Sequence, residues 1–347
     1  MTPPLVSVVT PCYNAAPFVA ETIESVLAQT HPSVEQIVVD DASTDGSWEV
    51  IERYVALHPG QVRGVRLEAN RGGSHARNRG AELARGEMVM FLDADDTIEP
   101  DTLAALARAA EGEPGSISFC PWVRWKLGGS GAWTAAPADV PLPSHDPAEA
   151  LRGWLTGAAW APPCAILWTR AAYERTGGWD EDLTLNDDGD LMMRALAGGA
   201  RLVPSGGGMA RYRTHQAARM SVSQTFLQES KLRSQVRTLE KVRAALAAQG
   251  RLAEFAEALG VGYQLAAYSG FKSGHLELAR ECLRTGEEFA GRRAVAPTRV
   301  GRLLVRVLGM ERKERLAQLL ARAGMMTPQR RSLARLRRMQ AEQAGGP

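Results

Sequence analysis

Between Leu5 and Asp93 the chain alternates short β-branched runs with amphipathic stretches, and this restricts the fold more than any other feature. "LVSVVT" (5–10), "VEQIVVD" (34–40), "QVRGVRLE" (61–68) and "EMVMFLD" (87–93) read as buried strands. "FVAETIESVLAQT", "WEVIERYVAL" and "SHARNRGAELAR" lie between them and read as helices, the first with Val19, Ile23, Val26 and Leu27 at helical spacing. Gly86 suits the position just past the end of the third helix. Strands separated by helices form βαβ units and a mainly parallel sheet. Such sheets bind ligands outside the carboxyl ends of their strands. Asp40, Asp41, Asp93, Asp95 and Asp96 all fall at such ends, so they are expected to meet in one crevice.

After about residue 115 the pattern loosens. "GSISFCPWVRWKLGGSGAW" reads as strand, Gly-rich turn and strand, "AEALRGWLTG" as a short helix, and "CAILWTR" and "GMARYRTH" as further strands around the helix "DLMMRALAGG". From about Thr225 onward the chain reads as helix after helix. The expected division is a βαβ half at 1–98, a looser half at 99–223 and a helical, basic extension at 224–347. At 347 residues with 45% hydrophobic and 23% charged, the composition is that of a globular chain with a sizeable core. Its four cysteines include no CxxC pair, which argues against a zinc site or a disulfide framework and fits a reducing compartment. No basic region followed by an apolar run opens the chain, and no run of 18 apolar residues occurs in it, so neither a signal peptide nor a membrane-spanning helix is expected. The formal charge of +2 divides into +11 for residues 291–347 and −9 for the rest, which suggests an anionic partner for the tail.

Two stretches carry the chemistry. In "MVMFLDADD" a core strand runs into three carboxylates; Asp93 and Asp95, two apart in an extended segment, face one side. They suit Mg²⁺ or Mn²⁺, which one or two carboxylates hold while phosphate oxygens complete the shell. The other reading is a solvated turn in which Asp96 caps the next helix. In "VVDDASTDGS" the acids ending the strand can accept from a ribose hydroxyl or a base N–H, whereas Ser43, Thr44 or Asp45 can cap the following helix. The loop "TPCYN" contains no GxGxxG, so a dinucleotide site is unsupported. Tyr13 in that loop can stack on a base or pack on its own domain.

"VSVVTPCYNAAPFVAETIESVLAQT", "IVVDDASTDGS", "NRGGSHARNRGAELARGEMVMFLDADD", "GGWDEDLTLNDDGDLMMRALAGG" and "ARYRTH" together resemble glycosyltransferase family 2, over roughly Val6 to Ser223. The resemblance implies a GT-A fold, an α/β, Rossmann-like, mainly parallel sheet flanked by helices, with 1–98 as the nucleotide-binding half and 99–223 as the acceptor-binding half, here followed by an all-helical extension. It implies a nucleotide-diphosphate sugar as donor, with UDP the commoner nucleotide. Pro11, Tyr13, Asp40 and Asp41 would line the nucleoside pocket, Asp41 as base contact. Arg77 would lie near the donor phosphates or base. Asp93 and Asp95 would form the DxD motif, with Asp95 on the metal and Asp96 adding charge or a second ligand. In "LNDDGDLMMR" the second acid, Asp188, would be the catalytic base. Asp187 would orient it or contact the acceptor, and Asp190 and Arg194 would hold the helix in place. Gly189 stands where relatives commonly carry an aromatic, a difference that falls on the acceptor pocket. His215 would bind metal or diphosphate, and Arg219 the diphosphate.

Sugar transfer needs a carboxylate to take the acceptor's proton and charge to stabilise the leaving diphosphate. One base facing away from the leaving group means direct displacement with inversion. Trp160 in "GAAWAPP" offers an aromatic face to an acceptor sugar, although core packing is the commoner fate of a tryptophan. The basic helices after 291 can lie on an anionic membrane or form a bundle with a solvated basic face; without stacking aromatics, nucleic acid is not expected. The acceptor class implied is a glycan or lipid-linked hydroxyl, as in bacterial surface polysaccharide synthesis. The location implied is cytoplasmic, with peripheral contact at the inner face of the membrane. The rivals are a nucleotidyltransferase, which would want a basic phosphate loop where "TPCYNAAP" stands, and a catalytically idle sugar-nucleotide scaffold.

Overall fold

The computed structural model describes residues 3–127, 132–136, 142–214, 228–293, 296 and 298–322. The chain divides into two compact units, Met1–Thr225 with Arg237–Phe255, and Phe226–Val236 with Ala256–Pro347. The expected boundary at 223/224 falls outside the described residues.

In chain order the elements are β1 (Val6–Cys12), α1 (Val19–Leu27), β2 (Val34–Asp40), α2 (Ser47–Leu57), β3 (Val62–Arg66), α3 (Gly73–Leu83), β4 (Met88–Phe91), β5 (Thr97–Ile98), α4 (Thr102–Ala110), β6 (Ser116–Phe119), β7 (Trp122–Leu127), β8 (Trp133–Ala136), α5 (Pro147–Thr156), β9 (Ile166–Thr169), α6 (Arg170–Glu174), α7 (Asp187–Ala197), β10 (Arg201–Pro204), β11 (Ala210–Thr214), α8 (Glu229–Ala248), α9 (Leu252–Ser273), α10 (Leu276–Ala290), α11 (Arg299–Leu308) and α12 (Met310–Arg322). A seven-stranded sheet in the order β10-β6-β9-β4-β1-β2-β3 forms the centre of the first unit. β1, β2, β3 and β4 run parallel to one another, and β9 is inserted antiparallel between β4 and β6. A second sheet, β5-β11-β7-β8, carries Trp122, Arg124 and Tyr212.

The central strands are buried on both faces, which is why they read as continuous apolar runs rather than alternating ones. Val6, Val8, Val9, Ile37, Val38 and Val39 are fully buried, and Ile23 of α1 and Ile51 of α2 close over the sheet. Parallel pairing from Val6↔Val34 to Cys12↔Asp40 sets the end of β2 beside the loop that follows β1.

Gly86 departs from its expected role. Helix α3 ends at Leu83, and Ala84 is already extended. Gly86 is required instead because its backbone lies against β1: a Cβ there would stand 2.6 Å from Leu5 O and 2.7 Å from Ser7 N. The short strand β5 was not expected, and α4 was anticipated only as the unplaced helix following Asp96. α4 buries Leu103, Leu106 and Ala107, yet its run of alanines gives no long apolar stripe to read.

In the second unit α9 and α10 approach closely through glycines. A Cβ on Gly260 would stand 2.4 Å from the Ala290 Cβ. The buried Gln264 donates to Gly286 O (3.0 Å) and Gly291 O (2.8 Å), so polar groups in that contact are satisfied.

Candidate active site

The loop after β1 and the loop after β2 are tied together before either meets a ligand. Asn14 N donates to Ser43 Oγ (3.0 Å), Ala15 N to Ser47 Oγ (2.9 Å) and Ala16 N to Asp45 Oδ2 (3.1 Å), while Thr44 N donates to Asn14 Oδ1 (2.8 Å). Asp45 also accepts from Ser47 N (3.1 Å) at the start of α2. The "DASTDGS" turn therefore holds in place the loop that presents Tyr13, which is 48% exposed.

Pro11, Tyr13, Asp41, Arg77, Asp93 and Asp95 line one cleft of about 230 Å³ at the carboxyl ends of β1, β2 and β4. That volume is just below the usual small-molecule range, as suits a site open on one side. Asp41 is buried and accepts from Arg71 N and Gly72 N, both at 2.8 Å, so it also fixes the turn into α3. Asp40 does not line the cleft. It is fully buried, accepts from Ser43 N (3.2 Å) and pairs with Arg66 (3.4 Å). The pleat explains this, since neighbouring residues on an extended strand point to opposite sides.

Arg77 joins the two acidic stretches. Its guanidinium donates to Asp93 Oδ1 (2.6 Å) and Asp187 Oδ2 (3.0 Å) and lies over the Trp179 ring at 4.5 Å. Ser74 Oγ donates to the same Asp187 oxygen (3.0 Å). Asp93 and Asp187 raise the Arg77 pKa against the opposing effect of burial, so its charge is permanent. Burial pushes the Asp93 pKa up, Arg77 pulls it down, and the neighbouring Asp95 raises it again.

Asp187 and Asp188 open α7 after Asn186, which adopts the left-handed conformation (φ 61°). A Cβ on Gly189 would stand 2.2 Å from Asn186 Oδ1, so the glycine makes room for that asparagine. Asp188 accepts from Trp160 Nε1 (2.9 Å) and Gly189 N (2.8 Å). Burial and then the neighbouring Asp187 push its pKa up to about 6, against the lowering effects of Trp160, Gly189 N–H and Arg77. A half-buried carboxylate that is oriented by two donors and has its pKa raised towards neutrality is suited to take up a proton. The helix is pinned from behind: Arg194 donates to Asp190 (2.8 Å) and Gly178 O (2.7 Å), and Lys241 bridges Asp180 and Asp190, both at 2.6 Å.

Trp160 stands at right angles to both Trp122 (5.3 Å between ring centroids) and Tyr212 (5.5 Å), and Arg124 lies 5.7 Å from the Tyr212 ring. Trp154, Trp168 and Trp179 are buried core residues. Arg211 pairs with Glu99 (2.8 Å) and Arg213 with Glu21, on the face of β11 opposite Tyr212.

Asp96 is not a cleft residue. It is 1% exposed, its Oδ1 accepts from Arg213 N (2.8 Å), and burial followed by Asp95 raises its pKa well above the usual carboxylate range. It does not cap α4, whose N-cap is Asp101. Asp93 and Asp95 remain as an all-oxygen pair on the cleft wall. Among the described residues no group of three His, Cys, Asp or Glu side chains is placed for a metal. Two carboxylates still fit Mg²⁺ or Mn²⁺, because substrate phosphates and water supply the other ligands. His215 and Arg219 lie outside the described residues.

Sequence reading missed His75 and Asn78 of α3. His75 Nδ1 lies 2.8 Å from Glu181, and Asn78 donates to Glu181 (2.9 Å) and Trp179 O (2.9 Å), which fastens α3 to the segment leading into α7. "HARN" did carry a signal, a polar face on a helix otherwise expected to be buried.

Residues 7–166 match the family model described as "Glycosyl transferase family 2". The chain is 46% identical over 100 residues to the putative teichuronic acid biosynthesis glycosyltransferase TuaG of Bacillus subtilis (strain 168), covering 29% of this chain and 39% of that protein. It is 38% identical over 115 residues to the succinoglycan biosynthesis protein ExoO of Rhizobium meliloti (strain 1021), covering 33% and 32%. The chain thus spans 32–39% of the length of these curated relatives. Among solved structures it resembles S. aureus TarS 1–349 in complex with UDP-GlcNAc, with a TM-score of 0.57 at 19% identity over 82% of this chain and 90% of that one. At that identity the likeness is one of fold, and it matches the expected GT-A arrangement with helices after it.

Proposed function

We propose that this chain, as a member of glycosyltransferase family 2, moves a sugar from a nucleotide-diphosphate donor to an acceptor hydroxyl with inversion, Asp188 acting as base. The observation that carries this reading is the state of Asp188: half-buried, held by Trp160 and Gly189 N–H, and pushed up to about 6. The donor cleft adjoins it through Arg77, which grips Asp93 on one side and Asp187 on the other.

The acceptor O–H gives its proton to an Asp188 carboxylate oxygen. The oxygen forms the new bond to the anomeric carbon while the bond from that carbon to the diphosphate breaks, its electron pair leaving with the nucleotide. A single base on the side away from the leaving group makes the displacement direct. Tyr13 and Asp41 take the nucleoside, and the fixed positive charge of Arg77 faces the diphosphate side of the cleft. A divalent ion, Mn²⁺ or Mg²⁺, held by Asp95 and Asp93 would neutralise charge developing on the leaving diphosphate. A UDP-sugar donor is supported by the fold shared with TarS, which was crystallised with UDP-GlcNAc. A glycan or lipid-linked acceptor in surface polysaccharide synthesis is supported by the relatives named for teichuronic acid and succinoglycan biosynthesis.

The test is thermal unfolding with UDP, GDP, CMP and dTDP, each with and without Mn²⁺, for the wild type and Asp95→Ala. Ligand at 100 times its dissociation constant adds about 2.7 kcal/mol. A metal-dependent shift with one nucleotide, lost in Asp95→Ala, supports the reading. No shift with any nucleotide overturns it and brings the idle-scaffold reading forward.

A further inference from the structure

Helix α11 presents three sectors around its axis rather than two. Gly301 and Val305 are buried against the second unit. Next around the helix come Arg302, Arg306 and Arg299, all exposed. The third sector holds Val300 (68% exposed), Leu303 (60%), Leu304 (36%) and Val307 (72%). At 100° per residue these four occupy one continuous arc of about 100°, beside the arginines and away from the buried side. The apolar stripe is therefore not the face that anchors the helix.

Helix α12 repeats the arrangement. Met310, Lys313, Glu314 and Ala317 are buried, while Leu316 (40% exposed) and Leu319 (59%) face outward, alternating around the axis with the exposed Arg312 and Arg315. Ordinary surface helices place charged residues opposite their buried side. Here two consecutive helices place large aliphatic side chains there, rimmed by arginine, within a tail carrying +11 of formal charge. Among the described residues no helix is long and apolar enough to cross a membrane.

We propose that α11 and α12 form a docking surface for an anionic lipid bilayer, with the aliphatic stripe entering the acyl boundary and the arginines meeting the headgroup charge. The pattern fits an interfacial helix, with apolar anchors on one arc and cations where the headgroups lie. A protein partner would need complementary acidic groups around its own apolar patch. A bilayer supplies both components everywhere along such a stripe. The inference is independent of the donor-site reading, since nothing in it uses the cleft.

The test is co-sedimentation of the full chain with vesicles of phosphatidylcholine alone and of phosphatidylcholine with an equal share of phosphatidylglycerol, at 0.1 M and 0.5 M salt. The wild type is expected to pellet with the anionic vesicles at least about tenfold more than with the neutral ones, and less at the higher salt. Leu303→Glu/Val307→Glu is expected to abolish pelleting, and Arg302→Ala/Arg306→Ala to weaken it about tenfold. These side chains are exposed, so circular dichroism and melting should stay at wild-type values. Equal pelleting with both vesicle types, or none, overturns the proposal. So does a wild-type dimer in light scattering that Leu303→Glu/Val307→Glu converts to monomer, which would make a second copy the occupant. A melting shift with nucleotide and Mn²⁺ in the same preparation keeps a failure here separate from a failure at the cleft.

Discussion

Arginine does opposite things in the two units. In the first, Arg77 is 12% exposed, and its guanidinium is shared between Asp93, Asp187 and the Trp179 ring. In the second, Arg299 and Arg306 lie in solvent along a stripe of exposed valine and leucine, and the exposed Arg302 beside them donates to Ala296 O (3.0 Å). A buried arginine holds its geometry because every alternative leaves an unpaired charge in a low dielectric. An exposed one holds little by itself and acts through the field it adds to its neighbours. The comparison separates residues that build a site from residues that recruit a surface.

The sharpest way to break it is at the paired acids. Asp188→Asn should lower turnover by about 10²–10⁴-fold, the usual worth of a positioned general base, while the nucleotide-induced melting shift persists. The same variant should be more stable than wild type at pH 7–8. Asp188 has a raised pKa in the folded state, so its favourable contribution is complete below about pH 4 and is lost as pH rises through about 6. Removing the charge should restore on the order of 1–3 kcal/mol above that range and nothing below pH 4, which urea unfolding at both pH values measures. Equal effects at the two pH values would contradict the burial of this carboxylate.

Arg77→Met comes next. It strands Asp93 and Asp187, and about 3–5 kcal/mol of stability should be lost. Arg77→Lys should recover only part of it, because an ammonium cannot reach both carboxylates in the planar manner of a guanidinium. If Arg77→Met melted like wild type, the bridge between the two acidic stretches would not be a stabilising one.

Smaller effects sharpen the picture. The acid limb of the kcat/KM profile should fall about tenfold per pH unit below about 6 in the wild type, as Asp188 takes up a proton. Trp160→Phe removes a donor that lowers this pKa, so the limb should move to higher pH while the aromatic packing on Trp122 and Tyr212 is kept. A drop in kcat with the limb unmoved would mean that Trp160 acts on the acceptor alone. At the bottom of the scale, Arg306→Ala should change the unfolding free energy by less than about 0.5 kcal/mol, as exposed substitutions generally do.

Much of the frame was legible in the chain. The run "VEQIVVD" is β2 residue for residue, and "LNDDGD" does open a helix at Asp187. Other features were not. Asp40 and Asp41 look interchangeable in sequence, yet one is locked to Ser43 and Arg66 and the other lines the cleft. Asp96 seemed to extend the acidic pair and is instead enclosed against Arg213 N–H. Gly86 looked like a helix stop and is a close-approach site against β1.

The sequence by itself determined which segments become strands and helices and that acids cluster where parallel strands end, because periodicity and turn chemistry act over a few residues. Tertiary structure alone decided which acid is desolvated and held by a tryptophan N–H. Trp160 reaches Asp188 across 28 positions and Arg77 reaches Asp187 across 110, so neither pairing leaves a local trace. The pKa of Asp188 follows from how much water the folded chain removes around it, and desolvation belongs to the surroundings rather than to the residue.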